Sequence, residues 1–297
     1  MARRGVPPTT NNLTTNNQLF DLPAVADLIR TALAEDVGRG DITTRLTVPA
    51  AARARGTLLA KQDGVLAGLP LVERVFTALG GRVTIQTFVS DGAALKSGSR
   101  VASVEGPAAD VLIGERLALN FVQQLSGVAT LTRRYVDAVR GTKARVIDTR
   151  KTTPGLRVLE KYAVRMGGGG NHRAGLDDGI LIKDNHLVAA GGVTAAVSAA
   201  RGAAPHGLKV QVECATQAQV EEAIAAGADA ILLDNMSTAD MAEAVRRIAG
   251  RAVVEASGGV TLETVRAIAE TGVDLISVGA LTHSAPALDL SLKIQLT

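Results

Sequence analysis

The sequence is poor in aromatic residues and nearly free of cysteine. Tryptophan is absent from the 297 residues, and aromatic side chains make up only 2% of them. The core must therefore be aliphatic, and nucleic-acid binding by stacking of bases on aromatic rings is not indicated. The one cysteine, Cys214, excludes a disulfide within the chain and favours a reducing compartment, so we expect a cytoplasmic protein.

Long runs of a single residue class are also missing. No continuous apolar run is long enough to span a membrane, and no block of lysine and arginine is long enough to form a nucleic-acid-binding tail. The formal net charge is only +3. Residues 1–20 are polar and lack the apolar segment of a signal peptide, so we predict a disordered leader there. We therefore expect neither a membrane nor a nucleic acid as a partner.

The first half of the chain contains a mixture of helix and strand patterns. Apolar residues at helical spacing alternate there with short strand-like runs, and Gln62-Asp63-Gly64 is typical of a hairpin turn. Strands are predicted at 56–61, 65–69, 83–89 and 100–106, and helices at 22–35, 108–123 and 128–139. These patterns predict an α+β domain over residues 21–127, with its strands in an antiparallel sheet.

The second half has a different rhythm. Short aliphatic runs alternate with helical segments, a pattern typical of a parallel sheet that is covered on both faces. Strands are predicted at 144–148, 179–183, 209–213, 230–234, 252–255 and 275–279. We predict a β/α barrel over residues 128–275, incomplete or irregular because six strands are found where a standard barrel has eight. An open doubly wound sheet is the alternative. Residues 276–297 are predicted to return to the first domain, and residues 288–296 alternate like a strand that would join its sheet.

Three short blocks between residues 148 and 186 are rich in fixed cations. They read D-T-R-K-T-T-P-G, G-G-G-G-N-H-R and L-I-K-D-N-H. Their basic side chains are Arg150, Lys151, His172, Arg173 and Lys183. Each block stands at a predicted strand end or in a glycine-rich turn, without carboxylates to match the cations. We interpret them as a site for a small polyanionic substrate.

Each predicted strand of the barrel ends in polar or glycine residues. These are Asp148-Thr149-Arg150-Lys151, Lys183, Glu213, Asp234, Ser257-Gly258-Gly259 and Gly279-Ala280. Charged residues often end a strand without having any function. For any single position, this explanation is as good as membership of a site. Six together favour one shared mouth, because barrel ligands bind at the carboxyl ends of the strands. The glycine loops after the last two strands predict a backbone pocket for phosphate.

Several other chemistries lack support. No His/Cys/Asp cluster has zinc spacing, no Ser/His/Asp order is evident, and neither a P-loop nor a G-x-G-x-x-G after a strand is present. Glu213 and Asp234 would supply the acid pair of a glycosidase. The dense cations argue instead for an anionic ligand.

These blocks together resemble the quinolinate phosphoribosyltransferase family. The resemblance is carried, in order, by T-R-K-T-x-P-G, K-Y-A-V-x-x-G-G-G-x-N-H-R, L-I-K-D-N-H, L-L-D-N and S-G-G…V-G-A-L-T-H-S. It covers the chain from about Leu22 to the C-terminus. It implies synthesis of nicotinate mononucleotide, CO2 and pyrophosphate from quinolinate and phosphoribosyl pyrophosphate with Mg²⁺, as part of NAD biosynthesis.

The resemblance also implies a fold and an assembly. It implies an N-terminal α/β sandwich and an irregular C-terminal barrel. It further implies a homodimer in which Arg116, within I-G-E-R-L-A-L-N, enters the neighbouring subunit's site. By the sequence alone, Arg116 is equally well explained as a solvated cation on a helix.

Residue roles follow from the same resemblance. Arg150, His172, Arg173 and the partner's Arg116 match binders of the quinolinate carboxylates, and Lys151 and Lys183 match lysines near pyrophosphate and carboxylate. Glu213 and Asp234 match acids near the ribose hydroxyls and Mg²⁺, directly or through water. Ser257, Gly258, Gly259, Gly279 and Ala280 would hold the 5′-phosphate, and Thr149 would join the substrate-binding residues. Arginine forks suit planar carboxylates, which agrees with these roles.

Three other functions remain open at this point. A molybdenum-transport relative of the family shares the barrel, and activity with quinolinate would separate the two. A barrel lyase or isomerase acting on a sugar phosphate would use the phosphate loops but not a diacid pocket. A non-enzymatic module for small anions would bind tightly without turnover.

Overall fold

The computed structural model describes residues 18–297, and the part of the predicted leader from 1 to 17 lies outside this range. The helices are α1 Pro23–Val37, α2 Ile42–Thr47, α3 Leu69–Ala78, α4 Ala108–Ala138, α5 Arg157–Met166, α6 Asp184–Ala190, α7 Val193–Ala203, α8 Gln217–Ala225, α9 Thr238–Ile248, α10 Val265–Glu270 and α11 Ala280–His283. The strands are β1 Arg53–Ala60, β2 Gly64–Val65, β3 Thr84–Thr87, β4 Ala94–Leu95, β5 Arg100–Pro107, β6 Arg145–Ile147, β7 Ile180–Ile182, β8 Val210–Cys214, β9 Ala230–Asp234, β10 Val253–Ser257, β11 Leu275–Ser277 and β12 Leu290–Leu296.

The packed part of the chain begins before residue 21. Residues Gln18–Asp21 form a short 3-10 helix in which Leu19 and Phe20 are buried. The Phe20 ring meets the edge of Tyr162 with 4.9 Å between ring centroids. Burial of two adjacent large apolar side chains explains why this segment is ordered although its surroundings in sequence are polar.

Four strands form an antiparallel sheet in the order β12-β1-β5-β3. The helix α4 lies across this sheet, and α3 packs against α4. Along β1 buried residues alternate with more exposed ones, as expected of a strand with one face on the core. This layer of helices on an antiparallel sheet confirms the α/β sandwich. Strand β12 is the strand predicted over 288–296, and it pairs with β1 from Ala54↔Leu296 to Ala60↔Leu290.

The prediction of a hairpin turn at Gln62-Asp63-Gly64 was wrong. Strand β1 pairs with β12 and β5, whereas the two-residue β2 pairs with β4. Asp63 accepts hydrogen bonds from Lys96 Nζ at 2.7 Å and Ser97 N at 2.9 Å. Its carboxylate therefore holds the loop after β4 and does not make a tight turn between β1 and β2.

Helix α4 replaces the two helices predicted at 108–123 and 128–139. It runs unbroken for 31 residues through Ser126-Gly127. A Cβ at Gly127 would lie 2.1 Å from Pro286 O, so the glycine is needed for close approach of the C-terminal segment. The predicted domain boundary at 127/128 falls inside this helix.

Six parallel strands form the second sheet, in the order β6-β11-β10-β9-β8-β7. Sequence neighbours are spatial neighbours from β7 to β11, and β11 then lies beside β6. A doubly wound sheet would reverse its strand order at a switch point, so this order indicates a sheet that curls round. The six strands confirm the prediction of an irregular, incomplete barrel.

The free edge of β6 is extended by the glycine-rich segment. Ile147 forms a parallel bridge with Gly170, with Gly170 N donating to Val146 O at 2.9 Å and Asp148 N donating to Gly170 O at 3.1 Å. This pairing brings the residues after Gly170 next to the residues after β6.

None of the helices between residues 18 and 297 is both long and apolar enough to cross a membrane.

Candidate active site

A cavity of about 790 Å³ lies at the carboxyl ends of the parallel strands. Its volume falls within the range of small-molecule and cofactor pockets. All residues predicted for the site except Arg116 line this one cavity. They are Thr149, Arg150, Lys151, His172, Arg173, Lys183, Glu213, Asp234, Ser257, Gly258, Gly259, Gly279 and Ala280.

The cavity carries charges of both signs, which corrects the expectation of cations without matching carboxylates. Its four fixed cations are Arg150, Lys151, Arg173 and Lys183, and its four carboxylates are Asp184, Glu213, Asp234 and Glu255. Three of these carboxylates follow β7 or lie on β8 and β9, and Glu255 lies within β10. Asp184 lies within the third basic block itself, whereas Glu213, Asp234 and Glu255 come from strands that follow residues 148–186.

One side of the cavity, the arginine wall, consists of Arg150, His172 and Arg173. The Nε atoms of both arginines are buried and have no hydrogen-bond partner among the described residues. Burial, and secondarily the charge of Arg150, lowers the pKa of Arg173. Two neighbouring guanidinium groups with unused donors favour a ligand that supplies anionic oxygen atoms.

The imidazole of His172 presents one nitrogen to the cavity. Its Nδ1 accepts a hydrogen bond from Arg173 N at 2.7 Å, which places the ring hydrogen of the neutral side chain on Nε2. Nε2 lies 3.7 Å from Oε2 of the buried Glu255, and that oxygen also accepts from Gln211 Nε2 at 2.8 Å. His172 is therefore positioned as a donor from Nε2.

A buried ion pair fixes the backbone of the arginine wall. Lys161 Nζ lies 2.5 Å from Asp148 Oδ1, and their side chains are 6% and 0% exposed. Asp148 also accepts from His172 N at 2.8 Å and from Asn171 Nδ2 at 2.6 Å, while Lys161 donates to His172 O at 2.9 Å. Burial raises the pKa of Asp148, and Lys161 opposes that shift. The pair thus holds both backbone polar groups of His172.

Lys183, Glu213 and Asp234 line the cavity at the carboxyl ends of β7, β8 and β9. Lys183 Nζ lies 3.6 Å from Glu213 Oε2, and the Lys183 side chain is about half exposed. Burial raises the pKa of Glu213; Lys183 opposes this shift, and the neighbouring Asp234 adds to it. A cation and two acids at this position are suited to a ligand that carries negative phosphates and develops positive charge beside them.

Another part of the lining, the glycine wall, follows β10 and β11 and consists of Ser257, Gly258, Gly259, Gly279 and Ala280. Gly258 has φ 91°, and a Cβ there would lie 2.2 Å from Asn235 Oδ1. At Gly279 a Cβ would lie 3.1 Å from His283 Nε2. At both positions a side chain would therefore press against neighbouring residues of the cavity lining, most severely at Gly258.

Sequence reasoning missed several cavity residues. They are Leu181, Asp184, Leu232, Asn235, Glu255, Val260, Thr261, Ser277 and His283. Glu255 had a signal: it is a charged residue within an apolar run, and it stands two positions before Ser257 in β10. Alternation places both on the same face of the strand. The predicted strand ended at 255, so Ser257 fell outside it and the face that the two residues share was not apparent from the sequence.

Comparisons with known proteins agree with this geometry. Residues 41–126 match the family described as quinolinate phosphoribosyl transferase, N-terminal domain, and residues 128–293 match its C-terminal domain. The chain belongs to the quinolinate phosphoribosyltransferase family. The resemblance found in the sequence motifs is thereby confirmed.

Relatives of this quinolinate phosphoribosyltransferase family member match it along most of their length. A probable nicotinate-nucleotide pyrophosphorylase (carboxylating) of Synechocystis is 48% identical over 265 residues, covering 88% of this chain and 90% of that protein. The corresponding enzyme of Mycobacterium leprae is 47% identical over 282 residues, covering 92% and 98%. The solved structure of nicotinate-nucleotide pyrophosphorylase from Francisella tularensis matches with TM-score 0.89 at 39% identity, covering 96% of this chain and 98% of that one.

Of the residues predicted for the site, Arg116 is the one that lies outside the cavity. It is exposed on α4 and does not line the cavity of this single chain. Its neighbour Glu115 has a pKa raised by burial, with Arg116 acting in the opposite direction.

Proposed function

We propose that this chain transfers a phosphoribosyl group from phosphoribosyl pyrophosphate to quinolinate and releases CO2, giving nicotinate mononucleotide and pyrophosphate for NAD biosynthesis. The observation that carries the proposal is the arginine wall. Arg150 and Arg173 line the same cavity as the glycine loop at Gly258, and the Nε atoms of both arginines are buried without a hydrogen-bond partner. One wall is suited to a diacid and the other to a phosphate.

In the first step the pyridine nitrogen attacks C1 of the ribose as pyrophosphate leaves. Lys151 and Lys183 neutralise the leaving group, and Glu213 or Asp234 stabilises the positive charge that develops on the ribose. A cation and an anion about 4 Å apart attract each other by about 4 kcal/mol at an effective dielectric constant near 20, before desolvation. Because these groups are already in place, they act mainly by preorganisation, and no protein nucleophile is needed.

In the second step the new bond makes the pyridine ring cationic. The carboxylate next to the nitrogen then leaves as CO2, the electron pair of the breaking C–C bond stays on the ring carbon beside the cationic nitrogen, and a proton from water takes the place of CO2 on that carbon. Arg150, His172 and Arg173 hold the diacid in the orientation that allows both steps. In this order the bond between C1 of the ribose and pyrophosphate breaks before the C–C bond to CO2.

We propose Mg²⁺ as the metal of this reaction. Among residues 18–297 no group of three or more His, Cys, Asp or Glu side chains is arranged to hold a metal ion. Magnesium commonly keeps several waters and binds through one or two carboxylates together with substrate phosphates. Glu213 and Asp234 fit that mode, and the bound ion would neutralise pyrophosphate charge.

We also propose a homodimer in which Arg116 completes the neighbouring subunit's cavity. A mixing experiment tests this. The variants Arg116→Ala and Arg150→Ala should each be inactive alone, whereas a mixed dimer would contain one intact cavity. Random reassortment should then restore about a quarter of the wild-type activity. If Arg116 acted within its own chain, the mixed cavity would stay defective and no activity would return.

The function is tested by incubating the protein with quinolinate, phosphoribosyl pyrophosphate and Mg²⁺. CO2, pyrophosphate and nicotinate mononucleotide should appear in equal amounts, and leaving out either organic substrate should abolish all three. Tight quinolinate binding without turnover would instead support a small-anion-binding module.

We also propose a cytoplasmic location, which rests on the single cysteine, Cys214, whose thiol is buried.

A further inference from the structure

Arg157, the first residue of α5, is outside the cavity but bonded to both segments that form the arginine wall. Its Nη2 donates to Arg150 O at 3.3 Å, and its Nη1 donates to Ala174 O at 2.9 Å, one residue after Arg173. Its Nε donates to Thr152 Oγ1 at 2.9 Å. One planar guanidinium thus links the loop after β6 to the loop before β7.

The two linked loops are also joined just before the two arginines, because Asp148 accepts hydrogen bonds from His172 N and from Asn171 Nδ2. Arg150 follows β6, whereas Arg173 follows the segment that pairs with β6 through Gly170 and leads to β7. Arg173 is tied forward to the next strand, because its Nη1 donates to Gly179 O at 2.9 Å. The distance between the two arginine backbones therefore depends on the groups that bridge the loops, and Arg157 supplies the bridge at Arg150 O and at Ala174 O, one residue after Arg173.

The spacing of two cationic groups matters most for a ligand with two anionic groups. When one carboxylate of a diacid is bound to one arginine, its second carboxylate is already held near the other arginine, which increases the affinity. This increase becomes smaller when the arginines are no longer held at the matching distance. A monoacid uses one such contact and is little affected by the spacing. An arginine fork is suited to this linking role because its donors lie in one rigid plane, which a lysine cannot reproduce.

We propose that Arg157 is a positioning residue that sets the separation of Arg150 and Arg173 and thereby the preference of this site for a pyridine diacid over a pyridine monoacid. The inference rests on the proposed function. It goes beyond that function because it assigns the preference to a side chain that does not contact substrate.

The test compares Arg157→Lys with wild type by calorimetry, using quinolinate and nicotinate as the diacid and the monoacid. The quinolinate dissociation constant should rise about tenfold or more, and the nicotinate dissociation constant should change by less than about threefold. In steady-state assays the KM for quinolinate should rise by a larger factor than kcat falls. Thr152→Ala, which removes one acceptor of Arg157, should shift the same preference in the same direction by a smaller factor.

Arg251→Lys is the matched control. Arg251 also donates to backbone carbonyls, those of Ile248 and Arg247, but it lies after α9 and outside the cavity. Its substitution should leave the ratio of the two affinities unchanged.

The outcomes separate the inference from the function on which it rests. If Arg157→Lys weakened both ligands by the same factor, or neither, the positioning role would be wrong and Arg157 would be only structural. Thr152→Ala gives the same decision if Arg157→Lys does not fold. Failure of the wild type to bind quinolinate would instead overturn the proposed function.

Discussion

The two walls of the cavity are built in different ways. The arginine wall presents side chains, and these are held by other side chains: Asp148 and Lys161 fix the backbone of His172, and Arg157 links the loops. The glycine wall presents main chain, and its shape depends on the absence of a side chain at Gly258. Ligand binding at the arginine wall should therefore be impaired when side-chain atoms are removed, and ligand binding at the glycine wall should be impaired when side-chain atoms are added.

The largest effect should come from breaking the buried ion pair behind the arginine wall. Lys161→Met leaves the Asp148 carboxylate buried and unpaired, and we expect a loss of about 3–5 kcal/mol in the free energy of unfolding, measured with urea. Adding Asp148→Asn should recover part of this loss. As a control, Arg266→Met breaks an ion pair with Glu270 that is about half exposed, and it should cost less than about 1 kcal/mol.

Removing a cation of the arginine wall should affect catalysis more than folding. We expect Arg150→Ala to cost about 2–5 kcal/mol in kcat/KM for quinolinate, because a bound carboxylate is left without its partner. The KM for phosphoribosyl pyrophosphate should change much less, because that substrate is assigned mainly to the other wall. Turnover and KM near the wild-type values would refute the role of Arg150.

Adding one methyl group should damage the glycine wall. Gly258→Ala places a Cβ 2.2 Å from Asn235 Oδ1 at φ 91°, and we expect the KM for phosphoribosyl pyrophosphate to rise about tenfold or more while the unfolding free energy falls by about 2 kcal/mol. Gly259→Ala is the matched control. Gly259 has φ 58° and no atom within 4 Å of the added Cβ, so it should cost only about 1 kcal/mol. Equal effects of the two variants would contradict the steric argument.

The smallest effect on folding should come from Glu213, and it should have the opposite sign. Burial raises the pKa of Glu213 above its ordinary value of 4.5, so the folded protein binds this proton more tightly than the unfolded chain does. The ionised carboxylate therefore reduces stability as pH rises through the raised pKa. Glu213→Gln should raise the unfolding free energy at about pH 7 by under about 1 kcal/mol, with less effect near pH 4, while turnover falls.

Urea titrations of wild type and Glu213→Gln at the two pH values measure this difference. A variant that was less stable than wild type at neutral pH would show that the contact with Lys183 outweighs the burial of the carboxylate.

The barrel was more predictable from sequence than the first domain. Strand β9 was predicted at its observed bounds, because an aliphatic run buried on both faces is visible locally. The hairpin after β1 was not, since the partners of β1 are β5 and the distant β12. Likewise, Gly127 resembles a helix end until its contact with Pro286 is known. Pairing and close approach depend on residues far away in the chain.

The site was predictable where chemistry and position coincided. Arg150 and Lys183 stand at strand ends, and the motifs around them are specific. Glu255 was missed because it lies inside β10, and Arg157 was missed because its role depends on bonds to the backbone of two other segments. Such supporting residues carry no local pattern of their own.

The pairing of β12 with β1 has a consequence for the order in which the protein is made. Residues 290–296 leave the ribosome only after every strand of the barrel has been synthesised, yet they form one edge of the sheet that begins at residue 53. On a nascent chain, one row of backbone N–H and C=O groups of β1 has no partner strand until β12 has been synthesised. The first-made half of this enzyme is thus the last to be finished, and a ribosome stalled within the barrel would carry an open strand edge available to other chains.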